Sequence, residues 1–320
     1  MLKELFILDG EDVYKDFFSI GKKIVFKSHY NEPLDKYIEI ISKHTELCFE
    51  KTFYNTMHYG CTNRESIFNF DINYLPDNLI TIEFGFSFNK NVFIFPSKLI
   101  NLSFGYSFNK ELLNLPNCVE NIFFGDCFNK RVIFPTNLKS IYFGKEYNHD
   151  INGLPDTLEY LFLGNKFIQS APNLPTKLKH LTIDFGLRDD SNFNIFFPIS
   201  IRTLHIINCN SQSVLDNLSN NLKELILSGK INSNLQICDL PTSLKRVIIK
   251  PDSDFNADLN SLPDFVEYIE INNKYQKKIL KFPKNLKEIK CSIKYKYIKQ
   301  IINSNPHIII THHEKIEFNI

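Results

Sequence analysis

The sequence predicts a β-rich solenoid in which about eleven coils of 19–23 residues stack into one parallel sheet, with helices mainly in the terminal caps. Three features predict it. A proline returns about every twenty residues, an alternating apolar stretch follows each proline, and what remains of each unit is too short for a helix.

The prolines set the period. Pro76, Pro96, Pro116, Pro135, Pro155, Pro175, Pro198, Pro241, Pro263 and Pro283 are separated by 20, 20, 19, 20, 20, 23, 43, 22 and 20 residues. The gap of 43 hides one unit, because Ser219 stands where a proline is expected in L-S-N-N-L-K-E-L-I-L. Each unit opens P-x-x-L-x-x-L-x-F/L/I, as in Pro76, Leu79, Ile82 and Phe84, or Pro241, Leu244, Val247 and Ile249. The closing L-x-F alternates with period two, so it reads as a short strand with one buried face. Such strands are expected to end near Phe84, Phe104, Phe124, Phe143 and Leu163. A proline just upstream fixes a turn and has no amide proton to satisfy.

After the strand the early units run G-x-x-F-N-K, first as Gly85-Phe86-Ser87-Phe88-Asn89-Lys90. The step recurs at Gly105 with Phe108 and Asn109, at Gly125 with Phe128 and Asn129, and at Gly144 with Tyr147 and Asn148. Glycine suits a sharp turn off the strand. The ring suits a stacked spine, and the asparagine amide suits a bridge to backbone groups of the adjacent coil. Roughly seven residues then lead to the next proline, so each coil is a strand, a turn and an extended return. One such coil cannot bury its own apolar face, which forces stacking.

The run F-N-x-x-x-x-x-L-P-x-x-L-x-x-L-x-F-G resembles the FNIP repeat, a leucine-rich-repeat-like family, over about residues 53–293 and most tightly from Leu75 to Pro175. The L-P-x-x-L-x-x-L-x-F opening is also similar to the twenty-residue leucine-rich repeats of bacterial effectors. The resemblance implies a curved or twisted leucine-rich-repeat-like solenoid, protein–protein recognition, and cytoplasmic use, which is the host cytoplasm for a member from an amoeba-infecting giant virus. Members from social amoebae often carry an F-box. Residues 1–70 lack the early Leu-Pro and helical ladder of that module.

Three regions are expected: an N-terminal cap with degenerate coils over 1–70, the repeat array over 71–293, and a C-terminal cap over 294–320. In the first, K-K-I-V-F and T-E-L-C-F-E read as strands, and Leu34, Tyr37, Ile38 and Ile41 share a helical face. In the last, Tyr295 to Asn303 reads as a helix with Ile298, Ile301 and Ile302 inward, before a strand over His307 to Thr311. Terminal units must shield the open end of the core.

Composition narrows the function. With 43% hydrophobic and 23% charged residues the chain is an ordered protein, and its net charge of +1 neither recruits nor repels nucleic acid as a whole. Acids at Glu4, Asp9, Glu11 and Asp12 argue against a secretory leader, and no apolar run reaches membrane-spanning length, so a cytoplasmic setting is expected. The seven cysteines, odd in number and never spaced C-x-x-C, read as reduced packing thiols.

No pattern of catalytic residues appears. G-x-S-x-G, H-E-x-x-H and a phosphate-cradling loop are all missing, and Gly21-Lys22 lacks the flanking residues of the last. His44, Cys48, His58 and Cys61 form H-x3-C-x9-H-x2-C, but the strand and F-Y-N echo already account for that stretch. Hence no enzyme, cofactor or metal is expected. Ten lysines lie between Lys274 and Lys299 with only Glu288 opposing them in that segment. They support the alternative function, a nucleic-acid-binding accessory protein, although charge runs usually face water.

The register locates a partner surface. Residues flanking the second Leu of each L-x-x-L-x-F point outward. Most are polar, but Phe123, Tyr142, Tyr160 and Phe162 fall on successive coils about 4.8 Å apart, flanked by His180 and His205. Exposed aromatics mark interaction sites, which makes these six residues the expected binding surface for a protein partner of unknown identity. Stacking that only stiffens the sheet, or cover by a terminal segment, are the alternatives.

Overall fold

The structure is a computed structural model and describes residues 16–50, 65–169, 173–186, 195–232, 235–237 and 239–313. The chain divides into two compact units, Met1–His149 and Asp150–Ile320, each built by adding strands in chain order in a parallel-sheet solenoid.

In the first unit the strands are β1 (Phe17–Ile20), β2 (Lys23–Phe26), β3 (Glu46–Phe49), β4 (Thr81–Glu83), β5 (Asn101–Ser103), β6 (Asn121–Phe123) and β7 (Ser140–Tyr142). From β2 onward every neighbour is parallel and in register, running Ile24, Leu47, Ile82, Leu102, Ile122 and Ile141 along the buried centre. The expected wholly parallel sheet needs one correction. β1 lies antiparallel to β2, with Phe17 opposite Phe26, because Gly21 at φ +58° lets the chain double back at once. Between β2 and β3 a 3-10 turn, Leu34–Tyr37, runs into the one-turn helix α1 (Ile38–Ile41), with Leu34 and Ile41 buried.

The proline turn recurs as a hydrogen bond. Leu79 N–H donates to the Pro76 carbonyl at 3.2 Å, and the same bond joins Leu99 to Pro96, Val119 to Pro116 and Leu138 to Pro135. Past each strand, Phe84, Phe104, Phe124 and Phe143 lie 3.7–4.1 Å, centroid to centroid, from Phe88, Phe108, Phe128 and Tyr147 of the same coil. Phe88, Phe108, Phe128 and Tyr147 also stack coil upon coil at 5.9 Å. Asparagines do what their spacing predicts. The backbone N–H groups of Asn89, Asn109, Asn129 and Asn148 each donate to Oδ1 of the asparagine one coil earlier, at 2.9–3.0 Å.

The second unit contains β8 (Tyr160–Leu163), β9 (His180–Asp184), β10 (Thr203–Ile207), α2 (Gln212–Asp216), β11 (Glu224–Ser228), β12 (Arg246–Ile249), β13 (Tyr268–Glu270), β14 (Glu288–Cys291), α3 (Ile298–Ser304) and β15 (Ile309–His312). All its strand pairs are parallel. Ser219 replaces proline without loss of the turn, since Leu222 N–H donates to the Ser219 carbonyl at 3.0 Å. α2 occupies the slack in the unit hidden within the 43-residue gap. α3 begins at Ile298 and buries Ile301, but Ile302 is 47% exposed, correcting the expectation that it faces inward.

Candidate partner-binding face

Alternation along each strand turns one residue in and its two neighbours out. In the first unit this gives two outward columns. One runs Lys23, Glu46, Thr81, Asn101, Asn121 and Ser140, and the other Glu83, Ser103, Phe123 and Tyr142, its earlier members Val25 and Cys48 being buried. The first column is tied together by side chains: Asn101 Nδ2 donates to Thr81 Oγ1 at 3.1 Å, and Asn121 Nδ2 to Asn101 Oδ1 at 2.8 Å. Beside this polar ladder the Phe123 and Tyr142 rings stack at 4.4 Å and 14°, with Phe123 44% exposed. A shallow groove of about 190 Å³ runs over Thr81, Glu83, Asn101, Ser103, Phe123 and Tyr142. On the neighbouring strand, opposite Glu83, Cys48 is buried, and burial pushes its thiol up to about 11.

A second aromatic pair lies just past the strands. Phe86 and Tyr106 stack at 4.8 Å and 3°, and Tyr106 is 46% exposed. Lys145 Nζ donates to Asp126 Oδ2 at 2.6 Å, and this bond raises the lysine's proton affinity, with smaller contributions from Tyr106 and Tyr142. Sequence reasoning missed Phe86 and Tyr106 because it assigned no face to the residue after the turn glycine. The signal was there, in G-F-S-F followed twenty residues later by G-Y-S-F.

In the second unit Tyr160 and His180 stack at 4.3 Å and 2°, with Tyr160 48% exposed. Phe162 is half-buried opposite Thr182, which separates it from His205 in the same column. His205 Nε2 lies 2.7 Å from Ser228 Oγ. Of the six expected site residues, the structure therefore brings Phe123 against Tyr142 and Tyr160 against His180, and sets Phe162 and His205 one strand further apart. Burial, and then Lys179 and Lys250 respectively, push His180 and His205 below the usual histidine range.

Further along, the face closes on itself. Arg246 donates to Glu224 at 2.8 Å and lies 4.0 Å over the Tyr268 ring. Tyr268 Oη donates to the buried Glu270 at 3.0 Å, and Thr311 Oγ1 to Glu288 at 2.7 Å. The lysine-rich end is less bare than its sequence reads. Lys274, Lys284 and Lys287 pair with Asp254, Asp264 and Glu267 one coil earlier, at 2.6–2.9 Å. A cavity of about 260 Å³ beside α3 is lined by Lys278, Tyr297, Gln300, Ser304, Asn305 and apolar groups, without a carboxylate, histidine or cysteine. Of the proposed metal cluster, His44 Nδ1 bonds the Ile40 carbonyl at 2.9 Å, and His58 and Cys61 lie outside the described residues. Among the described residues no helix is long and apolar enough to cross a membrane, and no group of metal-ligating side chains occurs.

Residues 88–127 and 128–166 match the FNIP repeat family. No curated protein matches the chain. Among solved structures, the chain is similar to CroV588, a giant-virus protein described as a novel circular LRR structure, at 21% identity and a TM-score of 0.42. That match covers 88% of this chain and 58% of CroV588. It is similar also to YopM from Yersinia enterocolitica, at 18% identity and a TM-score of 0.40, over 70% of this chain and 53% of YopM. The chain thus spans little more than half the length of either.

Proposed function

We propose that this chain, whose FNIP repeats form a parallel-sheet solenoid, is a non-enzymatic scaffold that takes a protein partner on its outward sheet face. One observation carries the reading: the stacked Phe123 and Tyr142 rings stand at the edge of a groove floored by a hydrogen-bonded polar ladder. Rings held in place by a neighbour offer large contact area at low entropic cost, and aromatics dominate interface hot spots. The bonded asparagines supply directional groups beside them. Glu83 is the one carboxylate lining the groove, with no histidine, lysine or cysteine beside it there. A nucleic-acid role finds less support, because three of the ten C-terminal lysines pair closely with acids of the preceding coil.

Replacing Phe123 and Tyr142 together with serine is expected to weaken partner capture by about 2 kcal/mol or more while the far-ultraviolet spectrum is kept. Capture that survives the double substitution in a folded protein overturns the proposal. A salt titration against generic RNA runs beside it, and a steep loss of affinity with salt there favours nucleic acid instead.

A further inference from the structure

The opposite side of the first unit carries a second surface that the sheet-face reading leaves out. On the return half of each coil, Ile72 pairs with Val92, and Leu112 with Val132, as isolated parallel bridges. The bridged residues Ile72, Val92 and Leu112 are buried. Their successors therefore point outward, and Phe93, Leu113 and Ile133 are 53%, 55% and 60% exposed, more than any ring of the sheet face. Ile94 and Tyr74 widen the strip at 56% and 47%. An apolar row of this kind on a soluble surface needs a reason.

Charge supplies one. Three residues upstream of that row stand Lys90, Lys110 and Lys130, one per coil, directly after the laddered asparagines. Five ion pairs elsewhere join a lysine to an acid one coil away. Lys139 meets Glu120 at 2.8 Å, Lys145 meets Asp126 at 2.6 Å, Lys179 meets Glu159 at 2.9 Å, and Glu267 takes both Lys245 and Lys287 at 2.8 and 2.6 Å. Among the described residues Lys90, Lys110 and Lys130 have no ion pair. The three return segments 89–95, 109–115 and 129–134 together hold Lys90, Lys110, Lys130 and Arg131 against Glu111, and Asp71, on the coil of Tyr74, accepts from the Asn91 backbone N–H at 2.8 Å. Anions laid along this column would find three lysines on successive coils, none of them in an ion pair among the described residues.

The spacing selects the shape of the anion. An α-helix lying along the stack brings a side chain to the same face about every 5.4 Å, close to the coil spacing of about 4.8 Å, and drifts by only about 1 Å over three coils. An extended peptide along the same line repeats about every 6.6 Å and falls out of step at the second coil. We propose that this face docks an acidic amphipathic helix of two to three turns. Its carboxylates would meet Lys90, Lys110 and Lys130, and its apolar stripe would meet Phe93, Leu113 and Ile133. A single helix stripe matches the two adjoining columns in width.

The test uses the full chain and a designed fourteen-residue peptide with Glu at positions 1, 5, 8 and 12 beside Leu at 4, 7 and 11. A scrambled peptide of the same composition is the control. Expected are binding at least tenfold tighter than the scrambled control, a gain of peptide helicity by circular dichroism, and weakening with salt. Lys110→Glu and Leu113→Ser should each cost about tenfold in affinity, with unchanged melting because both positions lie outside the core. The proposal is overturned if the two peptides bind alike, or if both variants bind like the parent. Cosedimentation with phosphatidylserine vesicles that is lost in Lys110→Glu, without peptide binding, overturns it in favour of a lipid surface.

Discussion

In the first unit the inward position after each strand is a ring: Phe84, Phe104, Phe124 and Phe143, each pressed on a second ring of its own coil. In the second unit the same positions are Leu163, Ile183, Ile206, Leu227 and Ile249, all buried. From β4 to β7 the first unit repeats every 19 or 20 residues, and its Phe88, Phe108, Phe128 and Tyr147 rings stack at 1°, 8° and 3°. The second spaces its coils by 20 to 23 residues and binds them at the rim with ions, Glu159 to Lys179 and Lys245 to Glu267 to Lys287. Stacked rings do not by themselves demand that period: Phe26, Phe49 and Phe84 stack at 5.5 and 6.0 Å although 23 and 35 residues separate them. The branched aliphatic positions of the second unit have no ring plane to align. The price of regularity in the first unit is glycine at the turn: a methyl group on Gly105 would run into the carbonyl oxygen of Gly85.

The largest effect that would break this comparison is at the spine. Phe108 is 1% exposed and lies 3.7 Å from Phe104, with Phe88 and Phe128 each 5.9 Å away. Phe108→Ala is expected to cost about 3–5 kcal/mol in chemical denaturation, since surrounding rings cannot collapse into the space. Coils contact only their neighbours, so hydrogen exchange should rise around residues 84–128 and leave β10–β12 unchanged. A uniform rise along the chain would mean that the two units do not rest on separate supports.

A smaller effect tests the glycine. In Gly125→Ala the new methyl group meets the Gly105 carbonyl and, at 2.7 Å, the Tyr106 Cα, both backbone atoms that cannot rotate away. An overpacking loss of about 1–3 kcal/mol is expected, together with reduced ring-current shifts of Phe124 and Phe128. An unchanged denaturation midpoint would show that the coils slide freely past one another.

These contrasts mark what was legible. Strand positions followed from the proline period because turn and alternation repeat together, and Ser219 kept its turn because the bond there needs only a carbonyl. The β1–β2 reversal turns on Gly21, whose place in Gly21-Lys22 carries no strand pattern of its own and shows its role only through its φ of +58°. The acids facing Lys274 and Lys284 escaped notice since they lie twenty residues upstream, one coil away in space. Phe93, Leu113 and Ile133 were passed over for a different reason: the return segment was read as extended without asking which side of it faces water. The aromatic sheet-face residues were found because strand alternation alone assigns their side.

The smallest effect separates the units by pH. His180 and His205 lie on the second unit's sheet face, pushed down by burial first and then by Lys179 and Lys250. Folded, they stay neutral where the unfolded chain takes up protons near pH 6.5. The unfolded state thus binds more protons, and stability falls as pH drops from about 7 through that window, until the folded value is passed. The paired carboxylates titrate lower: Glu267, held down to about 2 by Lys245 and Lys287, contributes stability that is lost only as pH falls below about 4.5. Between pH 7 and 5.5 the loss therefore belongs to the histidines. One proton sets a ceiling of about 1.4 kcal/mol per pH unit, and solvent screening of the half-buried rings keeps the effect well below it. His205→Gln keeps a polar partner for Ser228 Oγ but takes up no proton. Hydrogen exchange of β9–β11 should therefore slow its acid-induced rise in this variant, while that of β4–β6 should follow the parent. Equal pH slopes for β9–β11 in parent and variant would show that neighbouring groups, and not the imidazole, set the acid sensitivity of the second unit.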